Sequence, residues 1–264
     1  MAISSQESFW RKLQDVLGEQ FEVTTDSSED DGIQGKIFHR STEMEFRYIP
    51  EGTFEMGLSQ VEEEFARELC DPPPINLEEM RPVHTVAIKP FIMSCTPVLN
   101  NVAKQFFDLE DMSGDFYPTY LARTQISTLL SELGLRLPFE QEWEYACRAN
   151  TKTLFTFGNS LPEDEELSRW LSLDFSDPRK LLSNSFGLYG MFTGEWCQDE
   201  YRVTYAPDSP VEKGSFAIKG GGALFWPWQD EEWVWCVSAM RMPSRDLIDG
   251  KCGLRLVLDI PNLD

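Results

Sequence analysis

Three consecutive prolines, Pro72-Pro73-Pro74, stand within an acidic stretch of residues 59–81. Neither a continuous helix nor a central strand can cross them, because proline lacks an amide donor and its ring clashes with the preceding turn. A long surface loop is therefore expected over 59–81. The same punctuation runs through the whole chain: sixteen prolines and seventeen glycines cut 264 residues into short pieces. That pattern disfavours a helical bundle and points to a loop-rich α+β domain with little regular secondary structure. There is material for a core, since apolar residues make up 41% and aromatics 12%, with eight tryptophans. Such a composition argues against disorder.

Periodicity places the first elements. Phe9, Trp10, Leu13, Val16, Leu17 and Phe21 recur at helical spacing, so an amphipathic helix is expected over 8–21. Residues 24–33 (TTDSSEDDGI) read as an exposed turn. Strand character follows over 35–40, 45–50 and 83–92. Helices are expected over 97–109, 120–133 and 138–148, the last with Pro138 in its first turn. Residues 151–183 carry a weak pattern, and the remainder reads as turns and short strands. Residues 1–40 are taken as an N-terminal extension, and 41–264 as the main domain.

The formal charge is −22, from 45 acidic and 23 basic side chains. A surface of that sign repels phosphate backbones and anionic headgroups, so neither nucleic acid nor a membrane is an expected partner. A protein or peptide, cationic in particular, is compatible with it. The six cysteines (70, 95, 147, 197, 236 and 252) form no C-x-x-C pair and no zinc spacing. With no apolar leader or spanning run, a reducing cytoplasm is the expected compartment.

Several segments carry a resemblance. Residues 46–57 (FRYIPEGTFEMG), 81–91 (RPVHTVAIKPF), 135–149 (LRLPFEQEWEYACRA), 184–191 (NSFGLYGM) and 194–199 (GEWCQD) follow one another in order. They are followed by Gly220-Gly221-Gly222, by Ser238-Ala239-Met240-Arg241 and by residues 253–257 (GLRLV). Together they resemble the formylglycine-generating-enzyme, or sulfatase-modifying-factor, family over roughly residues 41–258. The resemblance implies a C-type-lectin-like α+β fold elaborated by long loops. In purely physical terms, Trp143, Tyr145 and Ala146 can fill a core from one helix, and Arg241 and Arg255 can order loops by binding carbonyls or carboxylates.

In catalytic members the resemblance implies oxidation of a peptide Cys by copper and oxygen, with two thiolates five residues apart holding Cu(I). Anchored on Arg241, those positions fall at Trp233 and Ser238, and neither is Cys. The neighbouring thiol, Cys236, lacks a partner at the required spacing. A branch of the fold that uses a three-His iron site is closed to a chain with only His39 and His84. Structural calcium, which the resemblance also implies, has Asn184 retained, but the following motif is shortened to Thr193-Gly194-Glu195-Trp196 with no matching Asn. No cofactor is assigned, and calcium is the one candidate.

What remains is a binding surface. Phe225, Trp226, Trp228, Trp233 and Trp235 are interleaved with Gln229, Asp230 and Glu232. Rigid rings give contact area at low entropic cost, and acids among them suit a cation. With Ser238 and Arg241 these form the expected ligand-binding set, with no catalytic residue and no metal ligand. The function expected is non-catalytic ligand or protein binding through an aromatic-acidic C-terminal face. The variable proteins of diversity-generating retroelements and catalytically silent paralogues both resemble this pattern. The alternative is a divergent copper-dependent oxidase.

Overall fold

The computed structural model describes residues 5–25, 35–73, 76–109, 114–170, 172–221, 236–244, 252–261 and 263. Its architecture is α+β, with short antiparallel ladders set around a central helix. One sheet runs in the order β1 (Phe21–Thr24), β2 (Lys36–His39), β3 (Glu45–Ile49), β6 (Phe91–Ser94) and β10 (Val257–Asp259). The two ends of the chain thus meet in one sheet. A second ladder pairs β4 (Gly52–Met56) with β5 (His84–Ile88). A third runs β7 (Glu195–Arg202), β8 (Val211–Lys219) and β9 (Arg241–Pro243).

The first helix, α1 (Ser5–Leu17), arises from the expected periodicity, and its Leu13 and Leu17 are buried with Phe21 and Ile37. These join Phe46, Leu254 and Leu256 in one apolar cluster. The stretch assigned to an extension therefore adds two strands and a helix to the same sheet and core.

Residues 59–81 differ from the expected loop. They form α2 (Gln60–Leu69) and a 3-10 turn, Leu77–Met80. The prolines lie just beyond α2 and end it instead of preventing it. A capping box starts it: the Ser59 hydroxyl accepts from the Glu62 amide, and the Glu62 carboxylate accepts from the Ser59 amide. The helix expected over 97–109 is a single turn, α3 (Asn100–Ala103), followed by irregular chain. The next helices are α4 (Arg123–Leu133) and α5 (Glu140–Arg148), with Pro138 preceding α5 instead of occupying its first turn. The weak pattern after 151 conceals α6 (Asp164–Trp170). Helix α5 packs on β4, β5, β7 and β8 and so links two of the ladders.

Candidate functional site

The site begins with a charged stripe on α5. Glu140, Glu144 and Arg148 stand four residues apart and so share one face of the helix. That face is buried. Glu144, fully enclosed, accepts from Lys219 Nζ at 2.8 Å, Arg148 Nε at 2.9 Å and the Gly57 amide at 2.8 Å. Arg148 also donates to Glu62 and to the Gly57 carbonyl, each at 2.8 Å. Burial pushes the Glu144 carboxyl up, but Lys219 and Arg148 outweigh it and hold the group at about 2. The pair therefore stays ionised inside the protein, where satisfied hydrogen bonds decide whether such charges are tolerable.

A second clamp lies one helical turn earlier. Arg241 meets Glu140 side-on, with Nε at 2.5 Å and Nη2 at 3.1 Å, and Nη1 donates to the Glu79 and Arg202 carbonyls at 2.8 Å each. Its guanidinium stacks 4.4 Å from the centroids of both Tyr201 and Tyr205. The Tyr205 hydroxyl donates to Glu140 at 2.9 Å, and burial followed by that carboxylate raises its pKa well above the ordinary value.

Lys219 closes β8, Arg241 opens β9, and the two are directly paired in the ladder. Their side chains reach the same helix. Lys219 Nζ donates in addition to the Ala239 carbonyl at 3.2 Å. On the outgoing side, Gly220 takes φ of +75°, and a Cβ there would lie 2.6 Å from the Thr193 carbonyl oxygen, so glycine is required. The Gly221 amide donates to Phe192 O at 2.8 Å. On the returning side, the Ser238 amide donates to Leu154 O at 3.0 Å and Val237 bridges Phe155. The chain at 219–221 and at 237–241, on either side of residues 222–235 in sequence, is thus fixed by backbone bonds and buried ion pairs.

Of the expected ligand-binding residues, Phe225, Trp226, Trp228, Gln229, Asp230, Glu232, Trp233 and Trp235 lie outside the described residues. Ser238 and Arg241 do not line a face open to ligand. Both are buried, Ser238 fully, and Arg241 is committed to Glu140 and two carbonyls. These two are fold residues. Arg255 plays the ordering part expected of it, with bonds to Glu195 and to the Ser94, Cys95 and Tyr189 carbonyls.

The Ser238 hydroxyl is buried beside the Cys147 thiol with no well-aligned partner. Cys147 and Cys236 line a common void of about 10 Å³, room for one water at most. Neither Cys197 nor Cys252 lines that void: Cys197 packs in the same apolar cluster as Cys147 without reaching the void, and Cys252 packs in a different cluster. Burial pushes the Cys147 thiol up to about 12. The calcium candidates are also occupied. Asn184 Oδ1 accepts from the Phe186 and Leu188 amides, and Glu195 is engaged by Arg255 and Trp143. A cation would have to displace these donors, so Asn184 and Glu195 as placed do not fit calcium.

The stripe on α5 was not legible as a site component, because charges four residues apart ordinarily mark a solvated face. The available signal was the rest of the helix: Trp143, Tyr145, Ala146 and Cys147 make it apolar over most of its girth and all are buried, which leaves only Gln141 and Glu142 to turn to water.

Residues 116–260, more than half of the chain, match the model of the sulfatase-modifying factor enzyme 1-like domain. The chain belongs to this family. Solved structures share the family fold. PvdO from Pseudomonas aeruginosa superimposes with a TM-score of 0.59 at 19% identity, covering 82% of this chain and 95% of its own. Variable protein 1 of Treponema denticola gives 0.52 at 15%, covering 91% and 99%. CarF gives 0.52 at 15%, covering 83% and 100%. A curated relative, the serine/threonine-protein kinase pkn1 of Chlamydia caviae, is 24% identical over 181 residues, or 53% of this chain. The match spans only 29% of that kinase's length. This sulfatase-modifying-factor-like chain has, among its described residues, no helix long and apolar enough to cross a membrane.

Proposed function

We propose that this family member is a non-catalytic binding protein that presents residues 222–235 to a protein or peptide partner, cationic by preference. The observation that carries the reading is the double clamp: paired strand residues Lys219 and Arg241 are both tied to one helix by buried carboxylates. Binding segments gain affinity when their ends are ordered beforehand, since less entropy is lost on association. The sequence between Lys219 and Arg241 supplies aromatic rings and acids, which suit guanidinium and ammonium groups. Six free thiols fit a reducing compartment, and we place the protein in the cytoplasm. Likeness in fold to a variable protein supports a retroelement-diversified segment as the specific form of this function.

Selection of peptides from a random display library tests the reading. Enriched sequences should be basic, and joint replacement of Trp226, Trp228, Trp233 and Trp235 by Ser should abolish their binding while the melting temperature holds. Retained binding after that replacement refutes the role of the segment. For the retroelement form, the adjoining DNA should hold a reverse transcriptase and an imperfect copy of the segment encoding 220–257, differing at adenines. A second reading, a divergent copper oxidase, draws on the void shared by Cys147 and Cys236. Aldehyde formation on a Cys-containing peptide with copper and oxygen, lost in Cys236→Ser, would establish it in place of the first.

A further inference from the structure

A large cavity has none of Lys219, Arg241, Glu140 and Glu144 among its described lining residues. It measures about 960 Å³, at the upper end of the range of roughly 300–1,000 Å³ typical of small-molecule sites. One wall is the β2–β3 hairpin, and the opposite walls are the chain leaving β6, helix α3 and residues 175–189. Backbone bonds tie the walls to one another: the Tyr189 amide donates to Cys95 O and the Phe175 amide to Phe116 O, each at 2.8 Å. The Cys95 amide likewise donates to Glu45 O at 2.8 Å. Phe175 is seated against Gly190, where a Cβ would come within 2.7 Å of its ring. The cavity is therefore formed before any ligand arrives.

Its lining departs from the rest of the molecule in charge. The chain carries −22 overall, yet Lys36, Arg40 and Arg47 line the cavity against Glu43 and Glu45. Arg47 is 97% buried by its side chain and pairs with Glu45 through Nη1 only. Its Nε is buried and has no hydrogen-bond partner among the described residues. An unanswered guanidinium N–H is costly to bury, and the Nε edge of arginine is one that a carboxylate meets side-on. Phe116, exposed despite its size, and Phe175 supply apolar surface nearby. The two glutamates of the lining disfavour a dianion such as phosphate.

We propose that this cavity binds a small amphipathic monocarboxylate, with the carboxylate on Arg47 and the apolar body against Phe116 and Phe175. The probes are 4-phenylbutyrate, its amide and the corresponding amine, titrated into the full chain by calorimetry and mapped by amide shifts. The carboxylate should bind at least tenfold more tightly than the amide, the amine not at all, and shifts should centre on Ser41, Thr42 and Asn101. Arg47→Gln should bring the carboxylate down to the level of the amide. Gln105→Glu places a negative charge in the lining on an exposed side chain, and should weaken the carboxylate several-fold even if Arg47→Gln does not fold. Equal binding of the three probes, no carboxylate binding, indifference to Gln105→Glu, or loss of binding in the four-Trp variant of residues 226–235 would each overturn the assignment.

Discussion

Replacing Lys219 by Met removes the ammonium that Glu144 accepts from at 2.8 Å and leaves a fully enclosed carboxylate with Arg148, the Gly57 amide and, at 3.5 Å, the Tyr205 hydroxyl as donors. Losing one partner of a buried pair typically costs about 3–5 kcal/mol, because the remaining charge keeps its desolvation penalty. The acid–base linkage gives a figure of the same size. Glu144 is held at about 2 instead of its ordinary 4.5. At about 1.4 kcal/mol per pH unit, that corresponds to about 3 kcal/mol. A carboxylate held low stabilises the fold fully above pH 4.5 and loses that contribution as pH falls toward 2. The variant should therefore be about 3–5 kcal/mol less stable at pH 7. The gap should narrow by about 1.4 kcal/mol at pH 3.5, where the wild-type carboxylate has begun to lose its advantage. Urea unfolding with a common m-value measures both. Because Lys219 stands three residues before the segment proposed to bind basic peptides, that binding should weaken in parallel. A gap below 1 kcal/mol at pH 7, or one unchanged between pH 7 and 3.5, would refute the argument that this pair is ionised and essential.

Gly220→Ala forces a Cβ to within 2.6 Å of the Thr193 carbonyl at φ of +75° and should cost more than about 1 kcal/mol, read as a fall in urea midpoint. Ser59→Ala removes the capping hydroxyl of α2 and should cost about 1 kcal/mol by the same assay, while a Ser59→Asp variant should retain most of the stability. Iodoacetamide at pH 8 should modify the half-exposed Cys70 first. Burial holds Cys95, Cys147 and Cys252 up near 12 and raises Cys197 well above its ordinary value, so these should react only in urea. Peptide mass spectrometry distinguishes the sites, and rapid native labelling of Cys147 would contradict the enclosed void. Arg241→Lys keeps the charge but loses the two-nitrogen contact with Glu140, and should lower the melting temperature by several degrees.

Much of the architecture was readable from local signals. The period of residues 8–21, the alternation near 35–50 and the apolar residues of 138–148 each correspond to an element. So do the ordered motifs that place the chain in its family. Local signals failed where a neighbour decided the outcome. Around Pro72 the prolines were given too long a reach, because the Ser59–Glu62 box fixes α2 before they begin. The β7–β8 hairpin was not distinguished from turns, since its ladder is broken by register shifts and mixes buried and exposed residues without alternation.

The sequence alone determined the family, the sign of the surface charge and the want of a thiol pair at Trp233 and Ser238. These depend on which residues are present and in what order. Only the tertiary structure decided that Ser238 and Arg241 are interior, that Glu140 faces Arg241 and that Glu144 faces Lys219. It alone also placed Arg47 in the wall of a cavity. The reason is physical: a charged side chain goes into the interior when partners distant in sequence satisfy it. Seventy-five positions separate Glu144 from Lys219 and 101 separate Glu140 from Arg241, distances that no local pattern spans.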